Sequence, residues 1–152
     1  MKSADAPPAI QPDELAEALP QRASALSRLF IARSTVPLSR TEIGVLRTLT
    51  SGPVRITKLA RCEGVTQPAI SLVVKRLKER GWVTGEADPA DGRAVLVAIT
   101  PSGRRVLDRV RAEYRALLHE EMASLTEAEL RTLADAVEIL DRLIDRLRET
   151  AR

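Results

Sequence analysis

The 152-residue chain carries one cysteine, Cys62, one histidine, His119, and three aromatic side chains: one Trp, one Tyr and one Phe. Each scarcity excludes something. A single cysteine forms no intramolecular disulfide, so Cys-stapled secreted scaffolds are ruled out. His119 is followed by Glu120 and Glu121, short of the roughly three or four ligands that a transition-metal site gathers; no metal and no cofactor is expected. Aromatics at 2% leave Leu, Val, Ile and Ala to fill the core and offer no ring platform for stacking single-stranded bases. No run approaches the roughly 20 apolar residues that span a bilayer. The first residues, MKSADAPPAIQPDELAEALP, carry acids and prolines where a signal peptide needs an apolar run. A soluble cytoplasmic protein with no membrane partner is the expectation. Seven glycines with no phosphate-cradling loop, and no nucleophile–base pairing, argue against an enzyme.

What is present is an ordinary globular composition, 44% hydrophobic and 30% charged, in a length that suits one domain with a real core. The net charge of +3 says little, but its distribution says more. From Arg55 to Arg80 seven bases meet two acids, whereas from Glu120 to Arg152 nine acids meet five bases. Positive potential is thus concentrated mid-chain, where phosphates could be met.

The pattern along the chain is mainly α (an α+β class). Residues 1–11 read as a loose Pro- and Ala-rich arm. A helical stripe begins at Pro12 (Leu15, Leu19, Leu26, Leu29, Phe30), with Pro20 leaving open either two helices or one with a kink. Ser39 and Glu42 form a capping box that opens a helix with Ile43, Leu46 and Leu49 inward, stopped at Ser51-Gly52-Pro53. A short helix spans about Thr57 to Cys62, with Leu59 and Ala60 buried and Gly64 at its end. Thr66 caps the next helix, whose inner face is Ile70, Val73, Val74 and Leu77; Gly81 closes it. Trp82-Val83-Thr84 and Val95 to Ile99 read as strands joined through an Asp91-Gly92 turn. Thr100-Pro101 opens a long helix running to about Leu125. A second capping box, Thr126 and Glu129, opens the last helix, and its apolar positions Leu130, Leu133, Val137, Leu140, Ile144 and Leu147 form a heptad seam.

Two constellations carry function. The helix from Thr66 to Arg80 shows Gln67, Pro68, Ser71, Lys75 and Arg76 outward. Short and amide side chains near a helix N-terminus reach base edges in the major groove, and bases around them hold phosphates. The hairpin tip, Asp88-Pro89-Ala90-Asp91-Gly92-Arg93, offers Arg93 to the narrow minor groove, with Asp91 placed to orient its guanidinium. A short helix, a basic helix and a hairpin in this order make a winged helix-turn-helix. The flanking helices carry more apolar stripe than one such unit needs, which suits burial between two chains.

Leu59-Ala60, Val65-Thr66, Ile70-Ser71, Leu77, Gly81-Trp82-Val83, the Asp-x-Arg wing and Ile99-Thr100-x-x-Gly103 together resemble the MarR family of bacterial transcriptional regulators, over nearly the whole chain. The resemblance implies a homodimer with interlocked terminal helices that binds double-stranded DNA at a palindromic operator, usually as a repressor released by a small-molecule effector or by oxidation. By position it assigns Thr66, Gln67, Pro68, Ser71, Lys75 and Arg76 to the recognition helix and Asp91 and Arg93 to the wing. It divides the chain into an N-terminal dimerisation helix region (12–35), a DNA-binding winged helix-turn-helix (38–100) and C-terminal dimerisation helices (101–152). Its usual ligand pocket makes Arg22, Phe30 and Arg33 candidates by location alone; the residues themselves read as packing and surface positions. The family's peroxide sensors use a cysteine in the N-terminal helix region, whereas Cys62 lies inside the helix-turn-helix and reads as a bystander. The alternative is a winged-helix scaffold for architectural DNA binding or protein contacts, without an effector.

Overall fold

The computed structural model describes residues 11–150. The arm expected over residues 1–11 falls outside them except for Gln11, which caps the first helix in extended conformation. The elements in order are α1 (Pro12–Arg33), α2 (Arg40–Thr48), a 3-10 turn (Leu49–Ser51), β1 (Val54–Arg55), α3 (Ile56–Glu63), α4 (Gln67–Glu79), β2 (Val83–Asp88), β3 (Asp91–Ile99), α5 (Pro101–Met122) and α6 (Glu127–Thr150). The chain divides into two compact units, one ending at Arg111 and the other beginning at Ala112, with α5 continuous through the boundary.

In the first unit, α1 settles the Pro20 question: it is one helix of 22 residues with the proline inside it. The ring costs a backbone hydrogen bond, but the Leu-, Ala- and Glu-rich turns on both sides favour helix strongly enough to carry it through.

The core is built from Val45, Leu46 and Leu49, Leu59 and Ala60 of α3, Ile70, Val73, Val74 and Leu77 of α4, Val83 and Val97 of the sheet, and Leu107 and Val110 of α5. One inward assignment on α2 is corrected. Ile43 is only half-buried, and the buried face is Glu42, Val45, Leu46 and, one turn on, Leu49, with Gly44 buried as well. That spacing is a regular helical stripe once a carboxylate is allowed in it. Glu42 faces inward because it closes the capping box: Ser39 N–H donates to its carboxylate at 2.8 Å and Glu42 N–H to the Ser39 hydroxyl at 3.2 Å.

The sheet has order β1-β3-β2, all antiparallel. β1 is too short to leave a periodicity in the sequence; it pairs Val54 with Val97 and Arg55 with Leu96. The hairpin turn lies two residues before the expected Asp91-Gly92. Its strands run to Asp88 and Asp91, paired across Pro89-Ala90. A tight Asp-Gly hairpin turn needs positive φ, yet among the described residues only Gly52, Gly64 and Gly81 adopt it. Asp88 followed by Pro89 supplies the turn instead, with Asp88 Oδ1 accepting the Ala90 N–H at 2.8 Å.

The strand-to-helix joint after β3 is tight. The Thr100 hydroxyl donates to the Gly81 carbonyl at 2.7 Å and accepts the Gly103 N–H at 3.0 Å, while the Thr100 N–H donates to the Trp82 carbonyl at 3.0 Å. α5 thereby comes so close to this backbone that a Cβ on Gly103 would stand 2.1 Å from the Trp82 carbonyl oxygen.

In the second unit, α5 stops at Met122, three residues before the expected Leu125. Thr126 must leave helical geometry to cap α6: its hydroxyl accepts the Glu129 N–H at 3.3 Å, and the Glu129 carboxylate accepts the Thr126 N–H at 2.8 Å. α6 runs 24 residues, about 36 Å at the usual rise, and contains no buried residue.

The Gly103 joint gives the first prediction. Gly103→Ala lowers unfolding free energy by about 1–3 kcal/mol, because the obstacle is backbone and no rotamer relieves it; this exceeds the helix-propensity gain of about 1 kcal/mol. Gly92→Ala, whose Cβ meets nothing within 4 Å, leaves stability near wild type. Urea unfolding of the two variants checks both, and equal midpoints would refute the close approach.

Candidate nucleic-acid interface

α3 and α4 form a helix-turn-helix. Gly64 ends α3 in left-handed conformation (φ 64°), and the Val65 N–H returns to the Ala60 carbonyl at 3.1 Å. Thr66 caps α4, its hydroxyl accepting the Ala69 N–H at 3.4 Å. Ile70, Val73, Val74 and Leu77 are all buried, so the opposite face of α4 is fixed outward. Thr66, Gln67, Pro68, Ser71, Lys75 and Arg76 are all exposed.

These side chains are not equivalent. The Ser71 hydroxyl donates to the Gln67 carbonyl at 2.8 Å, leaving lone pairs to face outward. Lys75 is largely exposed and stands 4.0 Å from Glu79, a loose surface pair. Arg76 turns back: its Nε lies 3.6 Å from Oε1 of the buried Glu42, which Arg80 also approaches at 3.9 Å. Arg80 further donates to the Pro37 carbonyl at 3.1 Å and lies 5.0 Å from the Trp82 ring centroid. Arg76 therefore holds α4 against α2 as well as facing solvent. Leu72, which a polar pattern on α4 does not single out, lies outside the inner stripe and is 60% exposed.

At the hairpin, Asp91 and Arg93 are exposed, and the expected pairing between their side chains is corrected. Asp91 Oδ1 accepts the backbone N–H of Arg93 at 3.2 Å, which shapes the strand start and leaves the guanidinium unpaired by it. The charge-assisted pair of the hairpin is Asp88 with Arg55 of β1, whose Nε and Nη2 both lie 2.5 Å from Oδ2. Nothing in the sequence joins residues 33 apart except that both are charged. The Asp88 carboxyl is held below the usual aspartate range by the Ala90 N–H first and by Arg55 after it, against the opposing effect of burial.

Cys62 is exposed and unpaired. Arg22 and Arg33 are exposed on α1 and Phe30 is half-buried. Among the described residues no group of three or more His, Cys, Asp or Glu could hold a metal ion, and no helix is long and apolar enough to cross a membrane.

The sequence pattern described as the MarR family matches residues 36–94. A curated HTH-type transcriptional repressor of Mycobacterium tuberculosis is 30% identical over 122 residues, 78% of this chain and 88% of the relative. The chain belongs to the MarR family of transcriptional regulators. The apo form of wild-type MarR from E. coli shares its fold with TM-score 0.72 at 22% identity, covering 87% of this chain and 97% of that one. BpsR from Bordetella bronchiseptica, described as regulated in its DNA binding by 6-hydroxynicotinic acid, aligns with TM-score 0.63 at 22% identity over 84% of this chain and 98% of its own. This MarR-family chain is accordingly a DNA-binding transcriptional regulator and not an enzyme, and its winged helix-turn-helix is formed by α3, α4 and the β2–β3 hairpin.

The Asp88–Arg55 tie gives a prediction with a definite sign. Because the folded carboxyl titrates below its unfolded value, its stabilising contribution is full above the unfolded pKa and is lost as pH falls through the lower folded one. Asp88→Asn keeps an acceptor for Ala90 but loses the charge facing Arg55. Amide exchange between Asp88 and Arg93 becomes faster in the variant at neutral pH, the α4 core amides stay as slow as in wild type, and the difference vanishes at acid pH. A variant hairpin as protected as the wild type at neutral pH would remove the tie from the account.

Proposed function

We propose that this regulator acts as a homodimer on a two-fold operator, with one α4 in the major groove of each half-site and each β2–β3 hairpin reaching the flanking minor groove. The observation that carries the two-fold reading is α6: Leu130, Leu133, Val137, Ile139, Leu140, Leu143, Ile144 and Leu147 are all exposed in the single chain. Eight large apolar side chains on one helix are far more than scattered surface hydrophobics, and six of them, Leu130, Leu133, Val137, Leu140, Ile144 and Leu147, recur at the alternating three- and four-residue spacing of a helix–helix seam, with Ile139 and Leu143 flanking it. α1 adds Leu15, Leu19, Leu26 and Leu29. A second copy offers the same stripes in return, as an isologous interface requires. Regions 12–35 and 101–152 then serve dimerisation, and 38–100 serves DNA.

On this reading Thr66, Gln67, Pro68 and Ser71 approach base edges, Lys75 and Arg76 lie beside phosphates, and Arg93 enters the minor groove with Asp91 shaping its strand. The output is repression, as in the M. tuberculosis relative, and a small-molecule effector releases the DNA, in the manner described for BpsR. Arg22, Phe30 and Arg33 are the candidates for contact with that effector. Cytoplasmic DNA is the partner.

Footprinting on a site selected from random duplexes tests the proposal. A dyad-symmetric protected region with half-sites about 34–36 Å apart is expected, with affinity falling steeply as salt rises. Uniform protection of unrelated duplexes would instead establish an architectural role. Arg93→Ala weakens binding by about 1–3 kcal/mol at unchanged melting temperature; binding equal to wild type would remove Arg93 from the interface. Val137→Glu with Ile144→Glu shifts sedimentation to the monomer and lowers operator affinity with it, and an unaltered dimer would place the seam elsewhere.

A further inference from the structure

Leu72 is the one large apolar side chain of α4 that the core does not use. The other four, Ile70, Val73, Val74 and Leu77, are buried, while Leu72 is 60% exposed. Most other exposed apolar residues lie in the stripes of α1 and α6; Leu72 stands alone on its helix. Its surface neighbours are Pro68 one turn before, Lys75 and Arg76 one turn after, and Ser71 beside it, all exposed. It is thus set among the side chains assigned to DNA, and no apolar stripe continues from it toward a protein partner.

We propose that Leu72 is a specificity-determining residue that packs on the C5 methyl of one thymine in each half-site. The inference rests on the placement of α4 in the major groove proposed above. A leucine has no donor or acceptor, so it distinguishes none of the hydrogen-bonding patterns of guanine, adenine or cytosine. The apolar feature on the major-groove edge of the bases is the thymine methyl. Leu72 therefore selects a T·A pair where a polar residue at the same place would select another base, and it rejects cytosine, which presents no methyl there. Burying one methyl is worth roughly 0.8 kcal/mol, about a four-fold change in affinity.

The test uses the full-length protein and a consensus duplex selected from a random pool. Each thymine of one half-site is replaced in turn by deoxyuridine, which removes only the methyl. One position weakens wild-type binding about four-fold, and the same replacement leaves Leu72→Ala binding unchanged. The variant, altered at an exposed site, melts with wild type, and its own selected consensus loses the preference for thymine at that position. A clear consensus in which no deoxyuridine affects the wild type, or in which Leu72→Ala responds as the wild type does, overturns this assignment and leaves the operator reading intact. Failure to enrich any consensus overturns the operator reading and this assignment with it.

Discussion

The Glu42 carboxylate is the point on which the reading surface depends. It is 4% exposed, and a carboxylate withdrawn from water costs several kcal/mol unless its charge and lone pairs are met. They are met here from three sides. The Ser39 N–H donates to it, the N-terminus of α2 places positive partial charge beside it, and Arg76 and Arg80 approach from α4. The group that begins α2 is thereby the group that holds the C-terminal half of α4. Arg80 extends the hold to the Pro37 carbonyl and the Trp82 ring. Because the acid is buried, salt screens this junction less than it screens an exposed pair, so the helix stays seated under ionic conditions that would weaken phosphate contacts.

Two further ties place the hairpin. Gly103 lets α5 close against the Trp82 carbonyl, with Thr100 bridging to Gly81, and this fixes the base of β2 immediately after α4. At the other end Arg55 grips Asp88, so the turn is fastened to the strand that leads into α3. The hairpin is thus restrained at both ends, at its base by the joint with α5 and at its turn by β1. A base-reading surface has to be held within a fraction of an ångström, and such restraint from supporting residues is what provides it.

Much of this was legible in the sequence, and the parts that were share a cause. Both capping boxes, the glycine stops at Gly64 and Gly81, the inner face of α4 and the Thr100-Pro101 start are local, decided within one or two turns of chain. What escaped was decided at a distance. Glu42 reads from the sequence only as the closing member of a capping box, with Ile43 taking the inward place; that the acid is buried follows from Arg76 and Arg80 converging on it. β1 has two residues and exists only because β3 lies beside it. The turn moved to Pro89-Ala90 because Asp88, secured by Arg55, offers an acceptor that Asp91-Gly92 does not need to supply. Leu72 is illegible for a different reason: in the sequence an aliphatic residue on an amphipathic helix looks like core, and only the buried stripe of Ile70, Val73, Val74 and Leu77 shows that it faces outward.

The basic surplus between Arg55 and Arg80 also changes character once partners are assigned. Of its four arginines, Arg61 makes no ion pair among the described residues, but Arg55, Arg76 and Arg80 face acids of the same fold, Asp88 and Glu42. Its lysines do not: Lys58 and Lys78 make no ion pair among the described residues, and Lys75 makes only a loose one. The planar guanidinium, with its fixed fork of donors, suits a precise internal tie, whereas the ammonium on its flexible stem is a hydrated point charge free to follow a phosphate. The arginines of this segment chiefly build the reader and its lysines chiefly charge it. Arg93, on the hairpin beyond this segment, is likewise without an acid partner among the described residues, and its backbone N–H alone is held by Asp91; in the proposed complex a narrow groove of concentrated negative potential would give such a weakly hydrated cation its greatest advantage.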